Sequence, residues 1–71
     1  MAKYSFFDLD NLQGTKLLDD IIVANPGISE DEIMKISEGL SRKRLLEYLE
    51  YHLDRNRIRQ EEGGYYPNDP V

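Results

Sequence analysis

Arg42, Lys43 and Arg44 form a run of three cations directly after Ser41, and the placement is chemically unusual. Ser41 has the hydroxyl of a helix N-cap, so the three cations fall in the first turn of a helix. There the macrodipole is positive and acids are preferred. Ser29, the other capping serine of this chain, is followed by Glu30, Asp31 and Glu32, as stability alone would favour. Cations in that first turn suit a polyanion instead: Arg can pair in bidentate fashion with guanine O6 and N7, and Lys or Arg neutralises phosphate. The plain structural alternative is a surface cluster in which Lys43 pairs with Glu47 at i, i+4. A second basic group, Arg55, Arg57 and Arg59, lies at the exit of the same helix and in the strand beyond it. Arg57 and Arg59 alternate with Ile58, so both point away from the core side. They are placed either for phosphate contact or simply to solubilise a short edge strand.

Other chemistry is sparse. The chain has no cysteine, hence neither a disulfide framework nor a thiolate metal site. His52 is the single histidine and stands at the border of an apolar stripe, which marks a satisfied structural histidine rather than a ligand. Tyr48, Tyr51, Tyr65 and Tyr66 read mainly as core or ribbon packing, with Tyr51 able to reach phosphate or a dimer seam. No Gly-rich phosphate loop, nucleophile–base pair or ligand cluster is present, so the expectation is a non-enzymatic protein without cofactor or small-molecule effector.

The formal net charge is −5, which at first disfavours a nucleic-acid partner, but the charge is unevenly distributed. Residues 1–40 hold eight acids and three bases, residues 41–60 six bases and three acids, and residues 61–71 three acids. Two-thirds of the positive charge thus sits in one short segment, and an acidic body with one basic face can still be steered onto a polyanion. No apolar run approaches the roughly 20 residues of a membrane span, and the polar Met1–Tyr4 start does not resemble a secretory signal. A soluble cytoplasmic protein is the expectation.

Seventy-one residues make a single domain near the lower size limit for an unaided core. Leu17, Leu18, Ile21 and Ile22 give the stripe of a first helix, capped by Asn11 or Thr15 and ended by Asn25-Pro26-Gly27. Ser29 and Glu32 make a capping box for a second helix, which Gly39 breaks about ten residues later. The third helix spans 41–55, with Leu45, Leu49 and Leu53 inward. Its opposite side carries Lys43, Arg44, Glu47, Tyr51 and Arg55. A strand, Glu62-Gly63-Gly64 turn and strand follow as a ribbon over 58–66, with a short extended piece near Gly27-Ile28 as a candidate third strand. Tyr4, Phe6 and Phe7 either cover the core or meet a second subunit. The expected core is Leu17, Leu18, Ile21, Ile22, Ile28, Ile33, Ile36, Leu40, Leu45, Leu49, Leu53 and Ile58. The domain runs over 1–67, and 68–71 form a loose tail.

Gly27-Ile28-Ser29, Glu32-Ile33 and Gly39-Leu40-Ser41, followed by Leu53, Asn56 and Ile58 and by Gly63-Gly64-Tyr65-Tyr66, together resemble the winged helix-turn-helix superfamily over residues 14–67. The likeness is to small prokaryotic, phage or archaeal regulators with a MarR- or ArsR-like core. It implies a mainly α fold with a small antiparallel β-ribbon, ordered helix, helix, helix, strand, strand. It also implies double-stranded DNA as the partner, with the third helix in the major groove and the ribbon as wing. The residues it points to, just after the second Ser, are Arg42, Lys43, Arg44, Leu46 and Glu47, and with Ser41, Tyr51, Arg55, Arg57 and Arg59 they complete the candidate DNA-contact set. A homodimer on two half-sites would compensate for the weak grip of one small module. The chain departs from the pattern at Asn56, where Gly is usual, and at Glu61 and Glu62, where wing tips are usually basic. Those acids keep open a second expectation, an acidic adaptor that binds a protein rather than DNA.

Overall fold

The computed structural model describes residues 3–68. It is an α+β arrangement of three helices with a three-stranded antiparallel sheet and a separate two-residue parallel ladder. In chain order the elements are β1 (Tyr4–Ser5), α1 (Asn11–Ala24), β2 (Ile28–Ser29), α2 (Glu30–Ile36), β3 (Ser37–Glu38), α3 (Arg42–Asp54), β4 (Ile58–Glu61) and β5 (Gly64–Pro67).

Helix α1 is capped one residue before Asn11 and five before Thr15, the two caps expected from sequence. Asp10 is the N-cap, its Oδ1 accepting from the Gln13 N–H at 2.8 Å while the Gln13 amide oxygen accepts from the Asp10 N–H at 3.1 Å. Asn11 and Thr15 are therefore inside the helix, and the Thr15 hydroxyl donates back to the Asn11 carbonyl at 2.6 Å. Gly14 also lies within α1, where the ring of Tyr48 on α3 occupies the space a side chain would need: a Cβ there would meet the Tyr48 hydroxyl at 2.7 Å. Asn25 closes the helix through its backbone N–H and its amide, both bonded to the Ile21 carbonyl.

Helix α2 carries the expected capping box of Ser29 and Glu32 but is shorter than its sequence suggested. It stops at Ile36, because Ser37 and Glu38 turn extended and pair as β3 with β1. The ladder is parallel, Tyr4 opposite Ser37 and Ser5 opposite Glu38, with flanking bonds from the Lys3 N–H to the Ile36 carbonyl and from the Phe6 N–H to the Glu38 carbonyl. It delivers Phe6 into full burial, so the N-terminal segment covers the core of its own chain.

Helix α3 starts at the expected Ser41 cap and ends in a Schellman arrangement around Asn56, whose φ is 57°. The Asn56 N–H reaches the Leu53 carbonyl and the Arg57 N–H the His52 carbonyl. Strands β4 and β5 meet through Glu62 and Gly63, both at positive φ, the conformation of a two-residue type I′ hairpin. The sheet order is β2-β5-β4, so the short extended piece at Ile28 is a third strand, pairing Ile28 with Tyr65 and Ser29 with Gly64.

The core comprises Phe6, Leu18, Ile21, Ile22, Ile28, Ile33, Leu40, Leu45, Tyr48, Leu49, Ile58 and Tyr65. Leu17, Ile36 and Leu53, expected inside, are only partly buried against it, and Phe6, Tyr48 and Tyr65 take their places. Asn68, assigned by sequence to the tail, is tied down by its N–H to the Arg57 carbonyl at 2.8 Å and by its amide to the Asn56 carbonyl at 2.9 Å. The rest of the expected tail, residues 69–71, lies outside the described residues, as do residues 1–2.

Leu49→Ala removes a side chain that is 2 % exposed at the middle of α3, and the expected loss is about 2–5 kcal/mol by urea unfolding. Gly64→Ala should be comparably damaging although it adds only a methyl group. The new Cβ would collide with the Gly27 carbonyl across the β2–β5 pair, and backbone cannot step aside. A Gly64→Ala variant that melts like the wild type would show that β2 does not pair with β5 as described.

Candidate nucleic-acid interface

The three consecutive cations after Ser41 have three different environments. Ser41 caps α3, its Oγ accepting from the Arg44 N–H at 3.2 Å. Arg42 reaches back to the first turn of α2, with Nη1 on the Glu30 carboxylate and Nη2 on the Asp31 carboxylate at 3.1 Å. Glu30 first, then Asp31, holds the guanidinium pKa above its usual value. Lys43 is exposed and forms no ion pair among the described residues.

Arg44, expected from sequence on the outward side, turns inward. Its Nη2 donates to the Tyr48 hydroxyl at 2.6 Å and to the Leu9 carbonyl at 3.3 Å, and its Nε to the same hydroxyl at 3.0 Å. Nη1 reaches the Gly39 carbonyl at 3.5 Å. The cause is Tyr48: once its ring is buried against Gly14, its hydroxyl needs a polar partner, and a side chain one turn earlier on the same face supplies it.

The outward ridge of α3 is consequently rotated from the one drawn on sequence. Its exposed residues are Arg42, Lys43, Leu46, Glu47, Glu50, Tyr51 and Asp54, and its midline, at helical spacings of three and four, runs Lys43, Glu47, Glu50, Asp54. Tyr51 lies on one flank with the Arg55 guanidinium 4.3 Å from its ring centroid. The 13 residues of α3 make a rod of roughly 20 Å, so Arg55 and Arg57 belong to the far end from Lys43. There Arg57 lines an open cleft of about 290 Å³ with Lys16, Asp19, Asp20, Tyr51 and His52. Arg59 is held on the ribbon, its Nε on Glu61 and Nη1 on the Pro67 carbonyl at 3.2 Å and on Asn68 at 3.1 Å, and it lies over the Tyr66 ring.

The sheet register brings the hairpin turn beside the start of α2, since Gly64 pairs with both Glu61 and Ser29. Burial and then the Glu30 charge raise the Tyr65 phenol pKa, which fits that proximity. Glu30 and Asp31 meet Arg42 at this edge, whereas Glu32 is on the Ser29 N–H and Glu61 on Arg59.

His52, placed by sequence at a border, is buried. Its Nε2 lies 2.8 Å from the Thr15 carbonyl and so carries the proton, while Nδ1 has no partner. Among the described residues no three His, Asp or Glu side chains are grouped to hold a metal ion. No helix of the described residues is long and apolar enough to cross a membrane. Compared with protein-family models, with curated proteins and with solved structures, the chain matches none.

Arg44→Ala should destabilise the fold by about 1–3 kcal/mol, because it leaves the buried Tyr48 hydroxyl and two carbonyls short of a charged donor. Lys43→Ala, one residue away, should change the melting midpoint little. Equal midpoints for the two variants would mean that the Arg44 side chain is not held inward.

Proposed function

We propose that the chain is a winged helix-turn-helix module that binds double-stranded DNA and regulates transcription, using the first turn of α3 in the major groove. The observation that carries this is the contrast between two helix starts. The first turn of α2 holds Glu30, Asp31 and Glu32, whereas that of α3 holds only basic charge, Arg42 and Lys43 on an exposed end. A cation there opposes the macrodipole, and a polyanion is what gives such a placement a use. The order α1, β2, α2, α3, β4, β5 outside the separate β1–β3 ladder, with β2 joined to β5, supports the winged-helix assignment.

In this reading Lys43 meets phosphate or guanine while Arg42 stands beside it on Glu30 and Asp31, and Glu47, next along the ridge, can accept from a cytosine amino group. Arg55 and Arg57 lie beyond the contact, and Arg44 supports the helix from behind. Two copies on two half-sites would supply the affinity one module lacks.

One observation favours a protein partner instead. Glu30 and Asp31 lie against Arg42, and the α3 ridge itself adds Glu47, Glu50 and Asp54. A basic partner protein would fit that rim better than a phosphate backbone.

Binding to a mixed-sequence duplex, read by fluorescence anisotropy at low salt, separates the two. DNA binding that weakens steeply with added salt is expected, with Lys43→Ala several-fold weaker. Reversing Glu61 and Glu62 to Lys should tighten binding to any duplex and steepen the salt slope by about 0.9 for each new phosphate neutralised, without altering base preference. Absence of binding at low salt would transfer the assignment to a protein adaptor.

A further inference from the structure

We infer that Glu30 and Asp31 act as a built-in competitor for the DNA contact, holding the Arg42 fork in the free protein so that DNA must displace two carboxylates to recruit it. This rests on the DNA-binding assignment above. An arginine reads guanine or grips phosphate with parallel N–H groups from two of its nitrogens. In Arg42 each terminal nitrogen donates one N–H to a carboxylate, Nη1 to Glu30 and Nη2 to Asp31, at the protein surface. Neither acid is needed where it stands for the cap of α2, because the capping box uses Ser29 and Glu32. The pair also joins two helices 11 and 12 residues apart in sequence, so it is not the local i, i+4 pairing of an ordinary charged helix. Lys43, the next residue, has no such tie among the described residues. Of two adjacent cations at one helix start, one is ready for a ligand and the other is already occupied.

The arrangement makes Arg42 conditional. In the wild-type protein the fork gains little by exchanging two carboxylates for a phosphate. Once the carboxylates are neutralised, the same side chain becomes a full contact. Simple removal of negative charge would also tighten DNA binding, so the diagnostic quantity is whether Arg42 matters, rather than the affinity itself.

The test is a double-mutant cycle on the full chain: wild type, Arg42→Ala, Glu30→Gln with Asp31→Asn, and the triple variant, each titrated with a mixed-sequence duplex by anisotropy over a range of salt. Arg42→Ala should weaken binding less than about twofold in the wild type and about tenfold in the neutralised background. The salt slope should steepen by about 0.9 in the neutralised protein and return in the triple variant. Glu32→Gln is the control. Gln keeps the capping box, so this variant should bind somewhat tighter with Arg42 still unimportant. Circular dichroism melts establish that every variant is folded. Equal effects of Arg42→Ala in both backgrounds, with DNA binding intact, overturn the competitor alone. No binding by any folded variant overturns it together with the DNA assignment.

Discussion

Tyr48 lies with its ring against Gly14, so α1 and α3 meet across a glycine rather than across two side chains, and much of the remaining structure is arranged around that contact. The ring is large enough to need burial and carries a hydroxyl that burial would strand. Phe6 stacks beside it with ring centroids 6.4 Å apart, which ties the N-terminal segment to the same point. Arg44 reaches the hydroxyl and continues to carbonyls of Leu9 and Gly39, so one cation links the chain before α1, the turn before α3 and α3 itself. A side chain at position 14 would push the helices apart and separate Arg44 from its acceptors. The basic surface at the start of α3 is thereby defined from inside: which cations remain outside is decided by which one the tyrosine takes.

Charge at that surface is sorted by acceptor geometry rather than by composition. Three adjacent residues go to an acidic helix start, to solvent and to an interior network. Their field does not extend far, since at physiological salt charges are screened within about 8 Å. Glu30 and Asp31 lie alongside, and they weigh more on a ligand at this edge than the net charge of −5 does as a whole.

Much of this was legible in the sequence wherever a local rule decides the outcome. Ser29 with Glu32, and Ser41, each specify structure within a few residues and stand where the pattern put them, while the expected Glu62-Gly63-Gly64 turn tightens to Glu62-Gly63 because Gly64 joins β5. The third strand at Ile28 was legible as well, as a short extended piece after the Asn25-Pro26-Gly27 stop. Of the misses, the first is a local capping box of the same kind left unread, and the other two depend on distant residues. Asp10 outcompeted Asn11 and Thr15 as a cap because Gln13 could complete the box, a reciprocal requirement. Helix α2 ended early because β1 offered Ser37 and Glu38 a partner from the far side of the chain. Arg44 went inward because of a tyrosine that a count of aliphatic residues had left at the edge of the helix face. In the candidate site, residue types and the capping serine were readable. The pairing of Arg42 with Glu30 and Asp31 was not, since it depends on how two helices cross.

The parallel ladder between β1 and β3 has a kinetic side. It joins residues at opposite ends of two intervening helices, and the bond from Arg44 to Leu9 spans 35 positions. Contacts of such sequence separation cannot form until the helices between them have ordered, because loop closure must come first. The two-residue ladder is also short, so it is the portion of the backbone with least to hold it once Arg44 lets go. Opening of the N-terminal segment then breaks fewer backbone pairs than opening of the three-stranded sheet. Phe6 acts in that scheme as a lid on a core already assembled beneath it, and amide protons of Phe6 and Leu9 would exchange through a smaller opening than those of Ile21 or Leu49.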